Sequence, residues 1–165
     1  MGIIDPTTCP VKTGSVYPEP YASQMAGRSS LRLGDAAGLT QFGANLVTLE
    51  PGARSSLRHW HAAEDEFVLV TEGELVLLQD EGEYLLRPGD CAAWKAGDPN
   101  GHCFVNRTDR PARFLVVGAK ADREVAYYSD VDFVMHRNDG QLAFTYRDGA
   151  PGPARGDAPR RHGAN

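Results

Sequence analysis

Positive charge is in short supply: 17 lysines and arginines stand against 22 aspartates and glutamates, a formal net charge of −5 over 165 residues. Such a balance leaves no electrostatic footprint for a phosphate backbone or an anionic lipid surface, so neither nucleic acid nor a membrane is expected as a partner. Cysteine is scarce as well. Cys9, Cys91 and Cys103 are odd in number and contain no close-spaced pair, which points away from a disulfide framework and from a cysteine-based zinc site. No run approaches the about 18 apolar residues of a membrane helix. A basic segment followed by an apolar run, the mark of a secretory signal, is missing from the N-terminal residues, and Pro6 stands where a myristoylation signal needs Ser or Thr. The expected location is cytoplasmic.

Glycine and proline, by contrast, are plentiful, with 18 and 11 copies. They close short apolar runs instead of interrupting long amphipathic helices. Strands are expected over 30–33, 42–49, 66–70, 75–78, 84–86, 91–94, 102–106 and 113–117, with turn sequences such as Pro51-Gly52, Glu72-Gly73 and Pro88-Gly89-Asp90 between them. Their spacing of roughly 8 to 12 residues argues for an all-β sandwich or barrel and against parallel strands crossed by helices. The length suits one domain, able to bury about 70% of the surface of its unfolded chain. Three zones are expected: an extended N-terminal arm at 1–29, a barrel at 30–130, and a C-terminal extension at 131–165. Within the last zone, 131–135 and 142–146 read either as strands or as a short helical turn, and the stretch from Asp148 onward reads as a flexible tail, too polar and broken to pack.

The chemistry begins at His59-Trp60-His61. On a strand, side chains alternate between faces, so both imidazoles point the same way and Trp60 points the other. Neutral imidazole is the commonest nitrogen ligand for divalent transition metals, and Glu66 is placed on the next strand to add a carboxylate. Parity favours Glu66 over Glu64 and Asp65: with Glu66 inward, Val68 and Val70 line the interior and Phe67 and Leu69 take the outer face. Glu64 and Asp65 then belong to the solvated turn between strands. His102 lies further on, within Gly97-Asp-Pro-Asn-Gly-His102-Cys-Phe-Val-Asn106, and offers a fourth ligand.

Gly52, His59, His61, Glu66 and Gly73, followed by a second glycine-bracketed segment ending His102-x-x-x-Asn106, resemble the two motifs of the cupin superfamily. The resemblance covers about residues 52 to 106 and implies a double-stranded β-helix, or jelly-roll, barrel. It also implies that His59, His61, Glu66 and His102 bind one divalent metal ion (Fe, Mn, Ni or Zn) inside the barrel. Two departures stand out. Lys95 replaces the usual proline of the second motif, and the four residues Asp98 to Gly101, instead of two, separate Gly97 from His102; as a turn at the barrel mouth, they are expected to move the rim more than the ligand.

A three-histidine, one-glutamate site leaves coordination positions open for water, oxygen or substrate oxygens, and the resemblance implies isomerase or dioxygenase chemistry there on a small hydroxylated, keto or sugar-phosphate-like substrate. The alternative is a non-enzymatic protein that uses the metal to anchor and sense a small molecule. A homodimer is implied by the resemblance, with the arm free to pair with a neighbour's sheet edge. Trp94 is a candidate for the cavity wall and Asn106 for bracing a turn. Lys95, Asn100 and Arg58 are candidates for gripping an anionic substrate at the mouth, while His136 and His162, without acidic or histidine company, are expected on the surface.

Overall fold

A computed structural model describes residues 2–153, and the chain there is almost wholly antiparallel β-structure. One sheet has six strands: β1 (Val11–Thr13), β2 (Arg28–Leu31), β3 (Phe42–Leu49), β10 (Ala112–Ala119), β5 (Glu66–Glu72) and β8 (Cys91–Trp94), in that spatial order. The opposing layer joins two smaller sheets. One holds β7 (Gly82–Leu86), β6 (Leu75–Gln79) and β9 (Cys103–Val105); the other holds β13 (Gln141–Tyr146), β12 (Phe133–Asn138), β11 (Arg123–Tyr128) and β4 (His59–His61). An isolated antiparallel bridge between His59 and His102 links them. This is the expected jelly-roll barrel.

Register explains which side chains meet inside. Across β3, β10 and β5, Val47 faces Phe114 and Val70, Asn45 faces Val116 and Val68, and Gly43 faces Gly118 and Glu66. The first row is the core: Val47, Val70 and Phe114 are buried, together with Leu49, Leu75, Leu77 and Phe104. The last row has no side chain beside Glu66 on two neighbouring strands, so the interior stays open there. The parity argument holds, with Val68 buried and Phe67 exposed. Gly73, at φ +72°, makes the tight exit from β5, where an added Cβ would sit 2.9 Å from Ala112 Cα and from the Pro111 carbonyl oxygen.

The N-terminal residues fold onto their own chain. β1 pairs with β2, which pairs with β3, and Tyr17 and Met25 are buried with Leu57, Tyr128, Val131 and Phe133 in a second apolar cluster. Residues 133–138 and 141–146 are the strands β12 and β13, which settles the choice left open between strand and helical turn. The tail expected from Asp148 needs correction at its start: Pro151 bridges Thr145, and Gly152 N–H donates to the Phe144 carbonyl, so 148–152 returns to the sheet edge. The rest of that tail, including His162, lies outside the described residues. The strand β11 was not anticipated at all. No helix among the described residues is long and apolar enough to cross a membrane.

Candidate metal centre

The four candidate ligands come from both layers and meet between them. His59 and His61 stand on β4, His102 immediately precedes β9, and Glu66 opens β5 in the opposite sheet. Donor atoms of His59, His61 and Glu66 lie within 4.8 Å of one another. His61 Nε2 is 3.4 Å from Glu66 Oε2, and His102 Nε2 is 3.5 Å from Glu66 Oε1. Metal–ligand bonds of about 2.0–2.2 Å at tetrahedral or octahedral angles hold adjacent donors roughly 3.0–3.5 Å apart, so the two histidine–Glu66 separations match edges of a coordination polyhedron.

Each ring is oriented by a partner on its far side. His59 Nδ1 lies 2.9 Å from the Leu57 carbonyl oxygen and His102 Nδ1 lies 3.3 Å from that of Asn100. Donating there fixes the Nδ1–H tautomer and leaves both Nε2 lone pairs toward the centre. The indole of Trp94 stacks flat on His102, with centroids 3.6 Å apart and planes at 11°, and its Nε1–H donates to Gln79. For His61 the outer partner is a carboxylate, since Nδ1 is 3.4 Å from Glu124 Oε1.

Glu124 has a fully buried side chain and accepts from the backbone N–H groups of Ala62 and Ala63 at 2.9 and 3.0 Å. Sequence reasoning missed it. Along β11 the buried residues are Glu124, Ala126 and Tyr128, while Val125 and Tyr127 are only half-buried. With a carboxylate heading the interior face, the strand lacks a clean apolar alternation. The usable signal was the parity of Glu124 with Ala126 and Tyr128, beside an expected histidine site.

Electrostatics follow from this packing. Burial opposes charge on His61, but the flanking carboxylates of Glu124 and Glu66 outweigh it and push the imidazole up to about 9. Burial, reinforced by His61 and His102, pulls His59 down to about 3. Glu66 resists burial's upward push because His102, His61 and His59 surround it, and its carboxyl is held far below the usual range. Glu124 is likewise lowered, as His61 and the two backbone N–H groups outweigh burial. The cluster is therefore a buried anion beside one neutral and one readily charged ring.

The donor set fits a divalent cation. Buried His102 Nε2 makes no hydrogen bond among the described residues, although Glu66 Oε1 lies 3.5 Å away, and an unsatisfied buried polar atom costs about 1–3 kcal/mol. An ion held by Nε2 of the three histidines and by Glu66 would satisfy His102 and leave His61 Nδ1–H for Glu124.

The cavity above the cluster has a volume of about 350 Å³. Its walls include Val47, Val116, Phe104, Phe114, Ala126 and Tyr128, and residues near the N-terminus contribute Lys12, Tyr17, Arg28 and Arg32. This corrects the expected rim, because neither Lys95, Asn100 nor Arg58 lines it. Arg58 pairs with Asp80 and Asp130 at 2.7 Å, and Asn100 donates to Glu81 while accepting from the Asp80 N–H. The inserted turn also does more than shape a rim, since its Asn100 carbonyl orients His102. Trp94 supports the ring from behind and does not line the cavity.

Glu64 is a further correction. It is buried, accepts from the Ala121 N–H, pairs with Arg137 and lines the cavity, whereas Asp65 is exposed and accepts from the Ala96 N–H. Asn106 braces its turn as expected, donating to the Leu49 and Arg110 carbonyls and accepting from Thr108. Trp60 faces away from the cluster and stacks on Tyr127 at 4.4 Å. His136 is half-buried, with Nε2 2.8 Å from the Thr145 hydroxyl.

Comparison with known proteins agrees with the fold. The cupin domain model matches residues 45–118. A cupin-superfamily sugar phosphate isomerase from Silicibacter pomeroyi DSS-3 is 59% identical with a TM-score of 0.89, over 91% of this chain and 96% of that one. An Acidithiobacillus ferrooxidans ATCC 23270 protein, provisionally assigned to the same activity, is 30% identical with a TM-score of 0.69, over 73% of this chain and 77% of that one. The polyketide cyclase RemF from Streptomyces resistomycificus shares the fold at 24% identity and a TM-score of 0.58, over 72% of this chain and 79% of that one. No curated protein matches the chain. The double motif, the jelly-roll barrel and 59% identity to a cupin along nine-tenths of its length agree, and the chain belongs to the cupin superfamily.

Proposed function

We propose that this cupin is a metal-dependent enzyme acting on a small hydroxylated or keto substrate, with sugar-phosphate isomerisation as the favoured reaction and oxygen insertion as the lesser one. One observation carries the reading: three histidines with oriented rings and one ionised carboxylate converge beneath a cavity of about 350 Å³. A site built only for stability would not leave His102 Nε2 buried without a hydrogen bond. The identity to the Silicibacter pomeroyi isomerase favours isomerisation.

His59, His61, Glu66 and His102 would hold the ion, which when bound supplies Lewis acidity to a carbonyl or hydroxyl oxygen. The chain's own contribution is positioning. Glu124 fixes the His61 ring, the Leu57 and Asn100 carbonyls fix the other two, and Trp94 keeps His102 from turning. Gly43 and Gly118 leave the space beside Glu66 clear for substrate. The apolar cavity wall of Val47, Val116, Phe104 and Phe114 limits water inside the barrel, where fixed charges act more strongly than in solvent. The homodimer belongs to this proposal too, and light scattering at the 17.9 kDa mass of one chain would refute it.

The test is incubation of protein separately restored with iron, manganese, nickel or zinc with a panel of aldose and ketose phosphates in heavy water. Interconversion with deuterium uptake at the carbon beside the carbonyl, lost on joint replacement of His59 and His61 by alanine, is the expected result. Recovery of every compound unchanged and undeuterated with all four metals would refute isomerisation.

A further inference from the structure

The cavity has a second, differently built end. Lys12, on β1, faces Ser30 on β2, which faces Val47 on β3, and Val47 is an interior core residue. Opposed residues on antiparallel strands share a face, so Lys12 and Ser30 lie on the cavity side of the sheet, as does Arg28, two residues before Ser30, with Lys12 on the exposed edge strand. Arg32 follows the strand and also lines the cavity, and Lys120 enters from just beyond β10.

These groups form a cationic cluster in an acidic protein. Asp35 is shared by Arg32 at 2.8 Å and Lys120 at 3.2 Å. Arg28 and Lys12, by contrast, have neither an ion pair nor a side-chain hydrogen bond among the described residues. Arg28 Nε and the Ser30 hydroxyl are buried without partners. Burial lowers the Lys12 ammonium from its ordinary value, and the charges of Arg32 and Arg28 lower it further, a sign of repulsion among like charges. Arg28 in turn senses the Glu66 carboxylate, which ties this end of the cavity to the histidine cluster. An unpartnered, partly desolvated guanidinium beside a second free cation is costly to the free protein, and an incoming anion removes that cost.

We infer that Arg28 and Lys12, supported by Arg32, Lys120 and Ser30, form a binding site for the phosphate end of the substrate whose oxygen-bearing end meets the histidine cluster. Arg28 and Lys12 without ion pairs, beside Arg32 and Lys120 sharing Asp35, favour a phosphate monoester, with its charge of about −1.5 to −2, over a carboxylate. The guanidinium fork of Arg28 suits two phosphate oxygens, and Lys12 adds a point charge. Assigning the phosphate carrier as the substrate rests on the function proposed above; the anion site itself does not.

Calorimetric titration of the full chain, stripped of metal by chelator and dialysis, separates the two. The probes are inorganic phosphate, glycerol 3-phosphate, glycerate and glycerol. The two phosphates are expected to bind, glycerate at least tenfold more weakly, and glycerol not at all. Arg28→Gln is expected to weaken glycerol 3-phosphate binding at least tenfold and Lys12→Gln several-fold, whereas Arg107→Gln, at a surface pair with Glu83, leaves it unchanged. Lys12 is exposed and without hydrogen bonds, so K12Q reads the site even if R28Q disturbs folding. Equal binding by wild type and K12Q, or glycerate binding as tightly as glycerol 3-phosphate, would overturn the inference. Phosphate binding without turnover under any metal would sink the isomerase reading and leave the anion site standing.

Discussion

His59 and His102 are directly opposed across an antiparallel bridge, and each backbone N–H donates to the other's carbonyl, at 3.1 and 2.9 Å. This pair joins the two halves of one barrel layer, and the same residues present their imidazoles to Glu66 on the facing sheet. Backbone and ligand geometry are therefore coupled. Replacing either side chain leaves the bridge intact, so loss of metal with little change in fold is the expected signature of both alanine variants.

The His61–Glu124 contact predicts a graded effect. Glu124→Gln removes the charge that orients His61 and keeps an acceptor oxygen for only one of the Ala62 and Ala63 N–H groups, which donate to different carboxylate oxygens. Metal affinity should fall about 10- to 100-fold, in the range expected for a partner behind a ligating histidine. Competition with a chelator of known affinity measures it; an unchanged affinity would remove Glu124 from the site.

Acid should unfold the metal-free protein early. His59 in the folded chain has a value of about 3 against an ordinary 6.5, so between these pH values the unfolded chain binds a proton that the folded one does not. Stability therefore falls as pH drops through that window. Glu66 acts in the same direction at lower pH, since its depressed carboxyl stabilises the fold above the ordinary value of 4.5 and loses that contribution below it. His61 has the opposite sign: raised to about 9, its contribution is full below 6.5 and is lost as pH rises toward 9. Denaturant titrations of wild type and His59→Gln across pH 3 to 7 check this, with a shallower acid slope expected for the variant.

Gly101 packs against the Ser129 side chain. A Cβ there would lie 1.8 Å from Ser129 Oγ, and the next residue is His102. The hydroxyl can turn aside but Ser129 Cβ stays 3.1 Å away, so Gly101→Ala should cost about 1 kcal/mol, the low end for overpacking, and Gly101→Ala with Ser129→Gly should recover part of it. Chemical denaturation of the single and double variants reads the coupling.

Arg137 neutralises Glu64, which is buried against the Ala121 N–H. Breaking a buried pair from one side strands a charge and costs about 3–5 kcal/mol, an upper bound here because the Arg137 side chain is 28% exposed. Arg137→Met should thus destabilise more than Arg137→Met combined with Glu64→Gln, by thermal melting.

Much of this was legible in the sequence because period-two alternation is strict where strands carry apolar residues. The parity of Glu66 with Val68 and Val70 placed the carboxylate correctly, and the turns at Pro51-Gly52 and Glu72-Gly73 bounded the strands. Legibility failed where the interior is polar. Glu124 heads the inner face of β11, so that strand lacked its usual mark, and Glu64 looked like a turn residue because Arg137, its distant partner, cannot be read from local spacing. The rim was misplaced for a related reason. Lys95, Asn100 and Arg58 sit close to the motif in sequence, but the cavity is walled by residues near the N-terminus, brought there by the long-range pairing of β1 and β2 with β3.

Elemental analysis tests the central claim most directly. The protein is to be purified without chelators and without a histidine tag, alongside a variant with His59 and His61 both changed to alanine. About one divalent transition-metal ion per chain in the wild type, and almost none in a variant that still melts cooperatively, is the predicted result. A wild type that stays metal-free after incubation with iron, manganese, nickel and zinc, or a variant that keeps its metal, would contradict the account.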